Sequence, residues 1–262
     1  MQGDELWFIP LFPFVDSKMK TILFDFSGMY PAHFHCDKRI DCRGIEGTNL
    51  YCSEEAEEEI RTRIRQMGAP GIHLIDHGNY HYVSKLFLDV LDEECDLVVF
   101  DHHTDMQAPG LFDLLSCGNW IRSAMLNNKK MQSICILGPS EQAFDEVEAD
   151  LRERAHFLSE PKLKMKGREI GTWLRERLKS KNLWVSVDLD FLSKNVITTN
   201  WDQGNFSLQE LKEMLLEVCS LPGLLGIDLC GGHPDTFDER SENVYEELLA
   251  FLQSFVKIND RD

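Results

Sequence analysis

The sequence predicts an α/β protein of three layers, α/β/α, with a mostly parallel sheet in the middle. Three observations carry this. Short apolar runs alternate with longer amphipathic segments along nearly the whole chain, which is the pattern of strand-helix-strand units. Several runs are apolar at consecutive positions, as in Leu97-Val98-Val99-Phe100, and that suits strands covered on both faces. No composition break, linker, internal repeat or low-complexity tract interrupts the 262 residues, so one domain over residues 1–262 is expected.

In chain order, the first strand falls at Thr21–Phe26. Ser53 then opens a helix running to about Gln66, with Glu54, Glu55 and Glu57 in its first turn, where acids favour the positive end of the helix dipole. Strand Ile72–Asp76 precedes helix Val83–Leu91, strand Leu97–Asp101 precedes helix Asn119–Leu126, and strand Ser133–Leu137 precedes helices Phe144–Leu158 and Glu169–Leu178. Strand Leu183–Asp188 leads to helix Leu208–Cys219, whose start carries a capping box of Ser207 and Glu210. Strand Leu224–Leu229 leads to a last helix, Asn243–Phe255. Gly, Pro, Asn or Asp bounds each strand. The stretch Phe144–Lys181 is rich in Glu, Arg and Lys and reads as a solvated pair of helices laced by i to i+4 pairs. In sheets of this kind ligands bind beyond the carboxyl ends of the strands.

Composition narrows the function classes. A 43% hydrophobic and 27% charged chain is too apolar for intrinsic disorder. Its net charge of −18 repels phosphate backbones and anionic lipid, so neither nucleic acid nor a membrane surface is an expected partner. Met1–Phe14 carries Asp4, Glu5 and two prolines and lacks a basic region, which does not describe a signal peptide. No apolar run approaches the ~20 residues of a spanning helix. Eight irregularly spaced cysteines suit reduced thiols, and a cytoplasmic location is expected.

The positions of the acids point to chemistry. One strand ends in Asp101-His102-His103-Thr104-Asp105 and another in Ser186-Val187-Asp188-Leu189-Asp190. Alternate residues of extended chain face the same side, so Asp101, His103 and Asp105 converge on one point, and Asp188 with Asp190 on another. Carboxylates gathered that closely repel by ~1 kcal/mol per pair at 4 Å even in bulk water. No Lys or Arg lies within either cluster, whereas two divalent cations would balance four aspartates and accept imidazole as well. Oxygen-rich ligation with a minority of imidazole suits Mn²⁺, with Fe²⁺, Co²⁺ and Zn²⁺ as alternatives.

These motifs resemble those of the ureohydrolases, meaning arginase, agmatinase and formiminoglutamase. Asp101–Asp105 is similar to their Asp-x-His-x-Asp, and Ser186–Asp190 to their Ser-x-Asp-x-Asp. Gly78-Asn79-Tyr80-His81 resembles their Gly-Gly-Asp-His, and Gly204-Asn205-Phe206-Ser207-Leu208-Gln209-Glu210 their Gly-Gly-Leu-Thr-x-x-Glu. The resemblance implies an arginase/deacetylase-like fold and six metal ligands for two ions: His81, Asp101, His103, Asp105, Asp188 and Asp190, with Asp101 and Asp188 bridging. His77 is the rival to His81. It further implies a metal-activated water as nucleophile, Asp105 accepting a hydrogen bond from it, hydrolysis of a guanidino, formimino or amide C–N bond, and association into a homo-oligomer.

The departures from the family pattern narrow the substrate. Cys230-Gly231-Gly232-His233-Pro234 places Gly231 where an arginase-like enzyme has its guanidinium-pairing acid, and Ile121 falls where the proton-shuttle histidine would stand. The Asp-Pro that follows the second motif is replaced by Ser193-Lys194. Arginine is therefore not the expected substrate. Gln107 and Asn119 are candidate polar contacts to substrate, and His233 is a candidate replacement for the shuttle. His33, His35, Cys36, Cys42 and Cys52 lack a Cys-x-x-Cys pair, leaving a zinc site and a loop over the site's rim both open. Two other readings of the whole chain also stand: a single-metal, deacetylase-like amide hydrolase, and a non-catalytic, metal-stabilised binding protein.

Overall fold

A computed structural model describes residues 19–110 and 113–259; the Met1–Phe14 segment lies outside them. Eight parallel strands form one sheet: β1 (Thr21–Asp25), β2 (Lys38–Asp41), β4 (Gly71–Ile75), β5 (Cys95–Phe100), β7 (Met131–Gly138), β8 (His156–Ser159), β9 (Leu183–Asp188) and β10 (Leu224–Cys230). Their order is β2-β1-β4-β10-β9-β5-β7-β8, and β3 (Tyr51–Cys52) pairs antiparallel with β6 (Leu115–Ser116) in a separate two-residue ribbon. The helices are α1 (Glu54–Met67), α2 (Val83–Val90), α3 (Trp120–Asn127), α4 (Glu141–Asp145), α5 (Ala149–Arg152), α6 (Glu160–Lys166), α7 (Ile170–Arg175), α8 (Leu208–Cys219) and α9 (Glu239–Asn259).

Two separate cores cover the two faces, which explains the uniformly apolar strands. Alternate residues of a strand enter opposite cores: Val98 and Phe100 pack with α7, α8 and α9, whereas Leu97 and Val99 pack with α1, α2 and α3. The six expected strands are present, within two residues of their expected ends. Strand β4 stops at Ile75, one residue early, because Asp76 takes φ +41. That turn lets the Asp76 carboxylate accept from Phe26 N (2.8 Å), Ser27 N (2.7 Å) and Ser27 Oγ (2.6 Å), tying the ends of β1 and β4 together.

Two expectations fail. The helix placed at Phe144–Leu158 is instead α4, α5 and the edge strand β8, which pairs with β7 from Cys135↔His156 to Gly138↔Ser159. Phe157 stacks flat on Phe144 at 4.0 Å, so the apolar spacing that mimics one helix face is a contact between two elements. Nor is the stretch up to Lys181 merely solvated, because Leu163, Ile170 and Leu174 are fully buried in the first core. Dense charge masks these sparse anchors, although one i to i+4 pair, Lys164–Glu160, does form at 3.2 Å. Strand β2, Lys-Arg-Ile-Asp, escapes the pattern for a different reason: among the described strands it lies at an edge, paired with β1, and edges favour charge. Helix α9 starts at Glu239 rather than Asn243, after Asp238 accepts from Ser241 N (2.9 Å).

One core residue carries a pH prediction. His73 on β4 is fully buried, neither ring nitrogen has a hydrogen-bond partner, and it stacks on Phe87 (4.1 Å) and Trp184 (5.6 Å). Burial pulls its pKa down to about 3. The unfolded chain, with a histidine near 6.5, then binds a proton that the folded chain refuses, so stability falls as pH drops below 6.5, down to about pH 3. The loss at pH 5 relative to neutral pH is about 2 kcal/mol. Urea unfolding of His73→Phe at pH 7 and pH 5 is expected to show that much less acid sensitivity than the parent; equal sensitivity refutes it.

Candidate metal centre

The register of the central strands brings the acidic motifs together. Ile75 of β4 pairs with Cys230 of β10, Cys230 pairs with Asp188 of β9, and Val187 pairs with Phe100 of β5. The residues that follow these strands therefore crowd one edge. Asp101 N still donates to Leu137 O at 3.1 Å, and Gly138 makes that approach feasible, because a Cβ there would lie 2.3 Å from Asp101 O. Beyond β9, Asp190 N donates to Asp188 Oδ1 at 3.0 Å, curling the chain into a 3-10 turn that points Asp190 back at the sheet. His81 arrives from a third strand, through the 3-10 turn Gly78–Tyr80.

The resulting cluster is tight and buried. His81 Nδ1 lies 3.0 Å from Asp105 Oδ2, 3.3 Å from Asp101 Oδ2 and 3.5 Å from Asp188 Oδ2. His103 Nδ1 lies 2.9 Å from Asp190 Oδ2 and 3.5 Å from Asp101 Oδ1. His81 and the four aspartates are nearly inaccessible to solvent, and His103 is half-buried. Two sets of ligand atoms, His81/Asp101/Asp188 and Asp101/His103/Asp190, each fall within 4.8 Å of one another, and Asp101 belongs to both. Among the described residues no Lys or Arg forms an ion pair with these aspartates; the basic partners are the two histidines.

Protons alone balance this charge badly. Burial pushes Asp188 well up, with Asp190 adding to it. Burial, then the Asp101 charge, lift Asp105 and Asp190 to about 7. Burial disfavours a charged His81, yet Asp101 and Asp105 raise it well above the ordinary range, and Asp101 and Asp190 raise His103 in the same way to about 12. Asp101 Oδ2 and Asp190 Oδ2 are buried and accept no hydrogen bond. Orphaned carboxylate oxygens beside imidazole nitrogens are the donor set of a divalent cation, so these residues fit one.

The surroundings orient the ligands. Ser84 Oγ and Ser186 Oγ both donate to Asp228 Oδ1, at 2.9 and 2.6 Å, and Trp184 Nε1 donates to Asp228 Oδ2 at 2.6 Å. Ser186 Oγ has thereby spent its proton, so at 2.9 Å from His81 Nε2 it accepts, which leaves His81 Nδ1 to face the carboxylates. Asp105, at φ +48, accepts from Trp120 Nε1 at 2.5 Å. Asp228→Asn is expected to weaken Mn²⁺ binding about 10- to 100-fold, the range for loss of a partner behind a metal ligand. Chelator-competition titration measures it, and unchanged affinity refutes the role.

A cavity of about 180 Å³ opens onto the cluster, walled by Leu50, Tyr51, Gln107, Cys117 and Trp201. His81, Asp101, His103, Asp105, Asp188, Asp190 and Gln107 all line it. Asn119 and His233 do not. The Asn119 amide donates to Leu114 O (2.9 Å) and accepts from Ser116 N (2.8 Å), so it holds the loop; His233 Nδ1 accepts from Asp235 N at 3.2 Å. His77 also lies outside the lining, edge-on to Tyr80 at 4.9 Å. Burial raises the Cys117 thiol above its usual range, which disfavours a thiolate there. The His33 to Cys52 set is dispersed: Cys36 packs on one core, Cys42 and Cys52 lie in the other, and His33 pairs with Glu242 at 2.8 Å. That stretch reaches the cavity through Leu50 and Tyr51 at its end.

Trp201, Tyr51, Trp120 and Asp228 have no site role in the sequence reading. Asp228 left a legible signal, an acid inside the otherwise apolar run Leu224–Leu229. The aromatics left none, because none belongs to a motif and their approach to the site is set by the fold.

The Arginase family profile matches residues 34–250. The chain belongs to the arginase family. Among solved structures, this arginase-family chain is similar to formimidoylglutamase from Bacillus subtilis (15% identity, TM-score 0.68, covering 94% of this chain and 90% of that one). It is also similar to Trypanosoma cruzi formiminoglutamase solved with Mn²⁺ (17%, TM-score 0.63, 83% and 73%) and to Entamoeba histolytica arginase in complex with L-ornithine (12%, TM-score 0.65, 90% and 98%). At these identities the likeness shows the fold. No curated protein matches it by sequence.

Packing fixes both Gly231 and Ile121. Gly231 takes φ +121, and a Cβ there would lie 2.8 Å from Leu189 Cβ and 3.0 Å from Asp188 Oδ1, so no acid fits. Ile121 is fully buried in the second core, and its N–H donates to Asp105 O at 3.0 Å.

Proposed function

We propose that this arginase-family chain is a binuclear metal hydrolase that cleaves a guanidino, formimino or amide C–N bond in a small nitrogenous substrate other than arginine. The observation that carries the proposal is Asp101, shared by two ligand sets at the floor of one cavity. His81, Asp101 and Asp188 would hold one ion and Asp101, His103 and Asp190 the other, with Asp188 also reaching toward the second and Asp105 toward the first. Mn²⁺ is the proposed metal on ligand type, with Fe²⁺, Co²⁺ and Zn²⁺ as alternatives. When bound, such ions lower the pKa of a water and polarise the scissile group.

The chain's own residues do the rest. Asp105, held by Trp120 Nε1, is placed to accept and pass on the proton released by the nucleophile. Ser186 and Asp228 fix the His81 ring, and Gln107 on the wall is placed to contact substrate. Absence of an acid at Gly231 disfavours arginine. Action in the cytoplasm on a small molecule is part of this reading; among the described residues no helix is long and apolar enough to cross a membrane.

Elemental analysis of Mn²⁺-loaded protein is expected to return about two ions per chain. A value near one favours a single-metal amide hydrolase, and none refutes hydrolysis by metal. A release screen for urea, ammonia and formamide over guanidino, formimino and acylated amines then assigns the bond cleaved. Two ions with no release from any class would leave a metal-stabilised binding protein.

A further inference from the structure

Five large apolar side chains are exposed among the described residues, and two of them, Tyr51 (50%) and Trp201 (38%), line the same cavity. Trp201 is seated there by design of its neighbours. Its indole stands 6.0 Å from the His103 ring at 71° and lies so close over Gly78 that a Cβ at that position would be 2.6 Å from Trp201 Cδ1. Trp201 Nε1 donates to Asn79 Oδ1 at 3.1 Å, and Asn79 Nδ2 donates to Asn49 Oδ1 at 2.8 Å. Asn79 thus joins the loop carrying Trp201 to the segment of Leu50 and Tyr51 that begins β3. A large aromatic left open to water and held in place on three sides is a binding wall rather than a packing residue.

The charges around the cavity are equally informative. Among the described residues, every carboxylate in its lining belongs to the metal cluster, and no Lys or Arg lines it. Four carboxylates formally balance two dications, so the loaded centre keeps no surplus charge to attract an ionic tail. Gly231 cannot carry an acid, for the steric reasons given above. A net charge of −18 repels anionic ligands at long range. A charged tail would give up its hydration here with nothing to pair it, which costs free energy, whereas a flat apolar tail gains contact with an indole face.

We infer that the cavity selects substrates whose non-reacting end is uncharged, flat and apolar, with Trp201 as the specificity-determining residue and Asn79 as the residue that positions it. This rests on the hydrolase reading for the reacting end, but the wall can be tested by binding alone. The probes are formanilide, an uncharged aromatic formamide; agmatine, a cationic guanidine; and N-formylglutamate, an anionic formamide. Calorimetric titration into Mn²⁺-loaded protein is expected to show formanilide bound at least tenfold more tightly than either charged probe. Trp201→Ala is expected to lose about tenfold in formanilide affinity at unchanged metal content, with Trp201→Phe restoring most of it.

A charged probe binding as tightly as formanilide overturns the inference. So does a Trp201→Ala protein with unaltered formanilide affinity, or formanilide that fails to bind. The two readings fail separately: binding in the expected order without release of product removes the hydrolase and leaves the subsite, while hydrolysis with a charged probe preferred removes the subsite and leaves the hydrolase.

Discussion

Asp101→Asn is expected to lower bound Mn²⁺ from about two ions per chain to near zero and to cut turnover by at least ~10³-fold. Asn keeps the shape and can still accept from His103 N, which donates to Asp101 Oδ1 at 2.6 Å, so the backbone turn survives. It removes the one negative charge common to both ligand sets. Losing either ion alone would leave about one per chain; losing the shared ligand removes both. The control is Asp190→Asn, which touches only the His103 side and is expected to retain about one ion. Asp101→Asn protein with full metal content would reject the bridge. Thermal melts of metal-free parent and variant separate metal loss from unfolding, since binding to the folded state alone would raise only the parent's melting temperature when Mn²⁺ is added.

Gly231→Ala is expected to damage both stability and the site although it removes no ligand. The left-handed conformation at φ +121 disfavours any side chain, and the new Cβ would meet Leu189 at 2.8 Å and Asp188 Oδ1 at 3.0 Å. The backbone cannot relax readily, because Gly231 N donates to Asp76 O (3.0 Å) and Tyr245 Oη donates to Gly231 O (2.7 Å). Strain and overpacking together cost about 2–6 kcal/mol, a fall in melting temperature of roughly 10 °C for a chain this size. Because Asp188 is displaced, Mn²⁺ affinity is expected to fall at least tenfold as well. Gly231→Glu, which places an acid where the resemblance puts a guanidinium-pairing one, is expected to fold poorly and to leave arginine uncleaved. A stable, arginine-hydrolysing Gly231→Glu protein would show that the missing acid, and not the packing around it, defines the specificity.

The two predictions draw on opposite kinds of information. Asp101 is visible in the sequence because strand alternation and a strand end are local properties: an apolar run closing in acids two residues apart reports both the element and the direction of its side chains. The same holds for the Ser207/Glu210 capping box, which is present with both of its reciprocal bonds. Apolar runs at β5 and β9 announced strands buried on both faces for the same reason, since burial on both sides leaves no polar alternation to read.

Non-local contacts left no such trace. Strand β8 exists because its backbone finds β7 and Phe157 finds Phe144, a pairing that a helical spacing of apolar residues imitates. Asn119 and His233 lie outside the cavity, whereas Trp201 and Tyr51, which belong to no motif, line its walls. The preference for His81 over His77 is legible in the Gly78-x-x-His81 spacing and the helix that follows, and the 3-10 turn Gly78–Tyr80 does bring His81 to the aspartates.

By itself the sequence determined the layered α/β class, the acids that must share compensating charge and the absence of an acid at position 231, all of which follow from hydrophobic period, Coulomb repulsion and residue identity. Only the tertiary structure decided that the hydroxyl of Ser186 and the carboxylate of Asp228 orient His81, and that Trp201 walls the cavity. Those depend on strand order and loop closure, and elements separated by a hundred residues meet through the whole folded free energy rather than through any pattern within either one.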